Sequence, residues 1–549
     1  MARQRSDLRP VAAAGALTLL ALVLRILAAR QSLGGDELFS LEVAARPGLG
    51  DVLDGVRGPL EITPPGYFVL GWAFAKLGDP TYWLKVPSVL AGTLTVPVAY
   101  AIGARTVGRW AGIVGTGLLA ISPYAIFYGS EARAYALTGL AVAVATLLLL
   151  VALERRRWPW WAAFAAAVAA SMYAHYVAAF PLAALLAWAL WYHRDAWRPL
   201  LLAFAAAAVA YLPWIPGLLD DRTSPYQHAI SRVWPFTLHY VGTALGQWTA
   251  GVPTWGVAKV PGPLALVLLG VGVMVIAAGL VARRRRTHMV SLASSPATAS
   301  ASSRSSVVER TGSSPPSPAT ASASSPSSAV DPTGSSPSSP ATATPSSRAS
   351  LVVLLVALAA SGPVLAALWS LFEPSVFVPR SFVASLPALA LLVGAGVVAV
   401  PRVAAIAAAA CLVVGLGLGT ARTFDDFRRP PFRAAADYID AHATAGQPVL
   451  ESGFFDPGAL DAHLDPPRPV FRVDCSSAST GPGQILTARV HCGRMGSGVA
   501  PARAAGRRAG RLWRVSWGGP PAAEPGFTRV SLRRFEGGLG VWVVEEKPA

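Results

Sequence analysis

Gly34-Gly35-Asp36-Glu37-Leu38-Phe39-Ser40 puts two adjacent carboxylates just beyond the first long apolar run of the chain, Pro10 to Ala29. That run has the roughly 20 residues a helix needs to cross a bilayer. Met1 to Arg9 ahead of it holds three arginines. Basic residues collect on the cytoplasmic side of a span, so the amino terminus reads as cytoplasmic and Asp36 as outside. A cleavable signal is the competing reading, since a basic start, an apolar core and Ala28-Ala29 fit it; it leaves Asp36 outside as well. Arg25, near the far end of the run, is expected to snorkel to the interface.

Composition agrees with a chain made mostly of spans. Of 549 residues 53% are hydrophobic and 14% charged, and the mean hydropathy is +0.47, too apolar for a soluble surface. The net charge of +17 could point to nucleic acid. The basic residues instead fall in short clusters at the ends of apolar runs, as orienting charges do, so nucleic acid is excluded as a partner.

Ten more spans follow: Val86 to Gly103, Trp110 to Tyr128, Tyr135 to Leu153, Trp158 to Tyr173, Val177 to Tyr192, Pro199 to Leu219, Pro263 to Ala282, Leu351 to Leu371, Ser381 to Val400 and Val403 to Thr420. With about eleven transmembrane helices, the carboxyl end lies outside. Arg105 with Arg109, Arg155-Arg156-Arg157, Arg194 with Arg198, Arg283 to Arg286, and Arg402 then all fall inside. The expected class is a mostly α, polytopic plasma-membrane protein. Residues 1–282 form its transmembrane module, with outer loops 30–85 and 220–262, and residues 351–421 its last helices. In the first loop, Leu38, Leu41 and Ala45 recur at helical spacing, as in a short helix lying on the membrane. Tyr67 to Leu77 is too short to cross and belongs in the interface.

Between these modules, residues 283–350 form a cytoplasmic insertion. From Ser291 to Ser350 it is almost entirely Ser, Pro, Ala and Thr, and Ser-Pro-Ala-Thr returns at Ser295, Ser317 and Ser339, a 22-residue period. Stacked repeats need apolar positions, which are nearly lacking here, so a disordered insertion is expected. Residues 422–549 mix charges, glycines and prolines with short apolar stretches, as a small extracytoplasmic α/β domain would. Pro430 to Ala445 reads as an amphipathic helix with Phe432, Ala436 and Ile439 on one face. Pro448 to Glu451, Pro469 to Val473 and Val541 to Val544 read as strands. Cys411 sits in an apolar run, which leaves Cys475 and Cys492 as a disulfide candidate on an oxidising side, with two free thiols as the alternative.

Charged and hydrogen-bonding residues at outer span ends are the candidates for chemistry, because burial there is costly. Asp36 and Glu37 come first. Glu131-Ala132-Arg133-Ala134-Tyr135 stands at an outer turn; it is either a surface ion pair capping the next helix or an arginine that reads an anion with Glu131 orienting it. His175, in Tyr173-Ala174-His175-Tyr176, is a packing residue or a site residue with equal reason. Arg380 is either interfacial or placed to meet a lipid phosphate. No metal-ligand spacing and no phosphate-cradling glycine loop occurs, so no metal or cofactor is expected, and a nucleotide-driven pump is disfavoured.

Asp36-Glu37, Thr63-Pro64-Pro65-Gly66-Tyr67, Lys85-Val86-Pro87-Ser88 and Glu131 to Tyr135, in this order and on one membrane side, resemble the GT-C membrane glycosyltransferases. The likeness is to their family 39, protein-mannosyltransferase-like branch, found widely in actinobacteria. It covers residues 10 to 220 and returns around Val378 to Leu392. Lys85 stands where arginine is common in the family, and the Ser/Pro insertion is foreign to its pattern. The resemblance implies transfer of a sugar, mannose or a similar hexose or pentose, from a polyprenyl-phosphate carrier to a protein, lipid or glycan hydroxyl outside the cytoplasm, by an inverting displacement. It also implies Asp36 as the base. Glu37 would help hold a substrate, and Arg133, Arg380 and Lys85 would meet the phosphate. A lipid-linked-sugar flippase or small-molecule transporter is the rival, but it calls for polar residues near mid-membrane, often in paired repeats. A non-catalytic scaffold leaves the acid pair and arginines without a use.

Overall fold

A computed structural model describes residues 2–58, 61–224, 231–232, 234–293, 345–425, 427, 429–452, 459–472, 496–537 and 540–549. The repeats from Ser295 to Thr342 lie outside the described residues, as do Cys475 and Cys492. Cys411, half-buried within Arg402–Phe424, is free.

Among the described residues, eight helices are long and apolar enough to span a bilayer: Arg9–Ala29, Pro80–Thr106, Tyr135–Arg155, Arg194–Thr223, Pro263–Arg285, Arg348–Ser370, Pro379–Ala399 and Arg402–Phe424. The other three expected spans are shorter as continuous helix. Trp110 to Tyr128 divides into Arg109–Ala120 and Pro123–Tyr128. Pro123 starts the second piece at a position where it needs no N–H, and the Ser122 hydroxyl accepts from the Ala125 N–H at 3.3 Å as its cap. Trp158–Ala174, of 17 residues, stops at His175, and Tyr176–Tyr192 resumes beyond it. Seventeen residues rise about 25 Å, somewhat less than a hydrocarbon core of about 30 Å.

Inward faces of the helices share a core around Leu149, Phe164, Leu185, Leu200, Leu355 and Leu391. Outward faces expose Leu19, Met274, Val403 and Ile406, the inside-out pattern of a helix that meets lipid. The chain is a multi-pass membrane protein. Arg25 does not snorkel: it is 1% exposed, donates to the Ala21 carbonyl at 3.1 Å, and fills a slot where a Cβ on Gly92 or Gly129 would meet its Nε at 2.7 or 2.6 Å.

Short helices Asp36–Ala44, Leu49–Val56, Gly66–Ala75 and Pro80–Trp83 fold the first loop over one end of the bundle. The C-terminal domain docks on that end. Its sheet contains β1 (Val449–Ser452), β2 (Val470–Arg472), β3 (Gly496–Ser497), β4 (Leu512–Trp517), β5 (Phe527–Phe535) and β6 (Val541–Pro548), in the order β3-β2-β1-β4-β6-β5. Strands β1 to β4 are parallel, with Val449 opposite both Val470 and Trp513, and β6 and β5 add antiparallel. Helices cover both faces, as parallel strands require. Val449, Trp513 and Val515 join Phe432 and Ile439 of Phe432–His442, while Leu450 and Leu512 meet Ala502 of Val499–Ala509. The first of these cores also takes in Leu33, Leu38 and Tyr67, so loop and domain share one apolar interior.

Candidate active site

Gly35 caps Asp36–Ala44 with φ 54° and ψ −128°, a conformation open to glycine and strained for other residues. Asp36 and Glu37 open the helix about 100° apart around its axis, so their carboxylates go to different places.

Asp36 faces a cavity of about 380 Å³, lined also by Arg133, Tyr135, His175, Asp221 and Arg380, with an otherwise largely apolar wall. The Asp36 side chain is 25% exposed, and its Oδ2 accepts from Arg380 Nη1 at 2.7 Å and from the Tyr135 hydroxyl at 3.4 Å. Burial alone would raise the Asp36 carboxyl; Arg380, Arg133 and the Tyr135 hydrogen bond outweigh it and hold the group below its ordinary value. Arg133 is fixed from behind by Glu61, at 2.7 and 3.0 Å in a two-pronged pair, with Thr63 at 3.3 Å and the Phe68 ring 5.5 Å away. His175 Nδ1 accepts from the Val177 N–H at 3.3 Å, which leaves the proton of a neutral ring on Nε2. Burial, reinforced by Arg380 and Arg133, pushes this imidazole down to about 3, so the ring is neutral at physiological pH.

Glu37 is sealed, with no exposed surface. It accepts from the Ala132 N–H at 2.8 Å and the Gly34 N–H at 3.2 Å, pairs with Arg429, and lies 3.6 Å from Lys85 Nζ. Lys85, 1% exposed, also donates to the Gln31 carbonyl at 2.7 Å. Neither Glu37 nor Lys85 lines the Asp36 cavity, so the expectation that they touch substrate gives way to a buried ionic knot under the acid pair. Of the two readings of Glu131 and Arg133, the mutual surface ion pair is not formed: Arg133 takes Glu61, and Glu131 is 8% exposed with its Oε2 unpartnered.

Sequence reasoning missed three participants. Glu61 stands two residues ahead of the Thr63-Pro64-Pro65-Gly66 motif, and the rule that a buried arginine needs a counter-charge calls for it once Arg133 is placed inside. Arg429 follows the last span, in the stretch between it and the helix at Phe432–His442. Asp221, which accepts from the Tyr176 hydroxyl, carries no local signal. Among the described residues no group of three or more His, Cys, Asp or Glu side chains could hold a metal ion.

Comparison with known proteins finds likenesses in sequence over part of the chain and in fold over nearly all of it. Residues 63–219 match the family described as dolichyl-phosphate-mannose-protein mannosyltransferase. No curated protein matches the chain. Among solved structures, ArnT from Cupriavidus metallidurans bound to undecaprenyl phosphate aligns over 96% of this chain and 97% of its own, at 15% identity and a TM-score of 0.52. The apo state of that protein aligns over 99% and 98%, at 16% identity and a TM-score of 0.46. An Archaeoglobus fulgidus oligosaccharyltransferase aligns over 92% and 68%, at 10% identity and a TM-score of 0.45. Over nearly its whole length, helical bundle and sheet domain together, this chain therefore has the fold of ArnT, and residues 63–219 within it are similar in sequence to the mannosyltransferase family.

Proposed function

We propose that the protein is a polyprenyl-phosphate-dependent glycosyltransferase of the plasma membrane, with its amino terminus cytoplasmic and its C-terminal domain extracytoplasmic. It moves a mannosyl or related hexosyl or pentosyl unit to an acceptor hydroxyl. The observation that carries this reading is the Asp36 carboxylate at the wall of a largely apolar cavity, 2.7 Å from Arg380 and beside Arg133.

A sugar hydroxyl is a poor nucleophile at neutral pH. Asp36 takes its proton as the acceptor oxygen bonds to the anomeric carbon. The anomeric bond to the carrier phosphate breaks on the opposite face, and its electron pair leaves with the phosphate, so a single displacement inverts the anomeric centre. The phosphate is stable once released and needs no strong acid. Its growing charge is met by Arg380 and by Arg133, which Glu61 pre-orients, while neutral His175 and the Tyr135 hydroxyl supply hydrogen bonds. Apolar walls suit the first isoprenes of the carrier. Glu37, Lys85 and Arg429 hold the Gly34–Asp36 turn from beneath.

The test is purified protein in lipid nanodiscs, supplied with a panel of polyprenyl-phosphate sugars and extracted envelope acceptors. Acceptor-dependent release of polyprenyl phosphate is expected from at least one donor. Normal transfer by a well-folded Asp36→Asn protein removes the base assignment, and no turnover of any carrier-linked sugar removes the reading.

A further inference from the structure

A second cavity, of about 600 Å³, reaches the chain at the two glycines that precede the acid pair. Its floor includes the Gly34 and Gly35 backbone just before Asp36, and its walls include Phe127, Trp234, Tyr240, Trp255, Phe427 and, from the sheet domain, Trp517. The rings stand as angled pairs: Trp234 with Tyr240 at 5.5 Å between centroids, and Trp255 with Phe427 at 5.3 Å. Glu131 also lines this space, nine-tenths buried and with Oε2 unpartnered. An orphaned buried carboxyl oxygen beside a cavity calls for an occupant that hydrogen-bonds to it.

Flat aromatic faces alternating with hydrogen-bonding groups suit a pyranose or furanose ring, which offers C–H bonds on its faces and hydroxyls at its rim. Charge argues for a neutral guest. Arg429 lines the cavity, but its charge is met by Glu37. Burial is the main cause that raises the Glu131 carboxyl, to about 8; Arg429 works against it, and Glu37 and Asp36 add to it. The protonated group both donates and accepts a hydrogen bond.

We infer that this second cavity is the acceptor subsite and that its acceptor is a neutral saccharide, with Glu131 holding a ring hydroxyl and the Trp255 and Tyr240 rings stacking on sugar faces. The inference rests on the transfer reading of the Asp36 cavity, and it gives the sheet domain a use, since Trp517 closes part of the wall. An acceptor ring seated here lies against the Gly34-Gly35 backbone, immediately before Asp36 in the chain.

Binding is measured on the full chain in nanodiscs, without turnover. Mannotetraose, arabinotetraose, maltotetraose and an uncharged Ser/Thr-rich peptide are the acceptor probes, and undecaprenyl phosphate is the carrier probe. At least one tetrasaccharide is expected to bind. Trp255→Ala and Glu131→Leu should each weaken it about tenfold or more, and Glu131→Gln, which keeps a donor and an acceptor, should restore most of the affinity. Undecaprenyl phosphate should bind all three variants as it binds the unaltered protein, which also reports their folding, whereas Arg380→Gln should weaken the carrier and spare the tetrasaccharide. Binding of the peptide alone, no saccharide binding, or saccharide binding indifferent to both Trp255→Ala and Glu131→Leu overturns the inference. Failure of undecaprenyl phosphate to bind the unaltered protein counts separately, against the transfer reading.

Discussion

Asp36 and Glu37 are neighbours of the same chemical type with opposite surroundings. Asp36 is a quarter exposed to a cavity and faces one arginine at 2.7 Å. Glu37 has no exposed surface and is held by two backbone N–H groups, Lys85 and Arg429. They are successive residues of a helix capped by Gly35, and the rotation of about 100° per residue sends one carboxylate to the cavity and the other into the knot. An acid available to substrate must keep an open side; an acid that fixes a loop must have none. On the proposed reading the pair divides chemistry from positioning, and each half can be broken alone.

The largest effect is expected at Asp36. Asp36→Asn keeps the shape and removes the base, so transfer should fall by about 10²–10⁴-fold, the usual worth of a general base. The melting temperature should stay close to that of the unaltered protein. Glu37→Ala should do the reverse. It removes the acid that meets both Lys85 and Arg429, and breaking a buried ion pair costs about 3–5 kcal/mol. The check is a thermal-unfolding series in nanodiscs beside transfer per folded molecule: a marked fall in stability with a smaller loss of specific rate is expected. If Glu37→Ala melts like the parent and loses all transfer, the division between the two acids is wrong.

Much of the membrane architecture was legible in the chain, because a span is a local signal: about 20 apolar residues in a row are visible without partners. The break at His175 was visible too, since it falls between the spans expected at Trp158 to Tyr173 and Val177 to Tyr192. The one at Ser122-Pro123 was harder, because it sits inside the apolar run from Trp110 to Tyr128 and acts through a single cap to Ala125. Asp36, Arg133, Tyr135, His175 and Arg380 were nameable as charged or polar residues at outer span ends, and all five line one cavity. Their partners were not nameable. Glu61 lies 72 positions from Arg133, and Arg429 lies 392 from Glu37; pairing at that range is decided by the fold. The sheet was half visible for the same reason. β4 carries Arg514 and β5 carries Arg529, Arg533 and Arg534, which obscure a strand until its neighbours are known. Charges along β5 suit its place at the sheet edge.

Arg380→Gln sharpens the Asp36 half of the comparison through pH. Among the influences on the Asp36 carboxyl, burial pushes up most strongly, and Arg380 leads those that pull down. Because the base works only when ionised, a depressed value keeps it active toward low pH; removing Arg380 lets the value rise. The acid limb of the pH–rate profile should therefore move to higher pH, together with a loss of about ten- to a hundredfold in the plateau from the missing phosphate contact. An unmoved limb would mean that Arg380 does not act on Asp36 in the working enzyme.

The smallest effect is expected at His175, and it decides who owns that limb. Burial, with Arg380 and Arg133, holds its imidazole down to about 3, so the ring is neutral from pH 5 to 8 and offers only a hydrogen bond. His175→Gln keeps a donor in similar volume. The loss should be roughly that of one adjusted hydrogen bond, about 1 kcal/mol or fivefold in rate, with the shape of the pH profile unchanged. A profile that flattens near neutrality in His175→Gln would make the histidine the titrating base and would move the chemistry off the acid pair altogether.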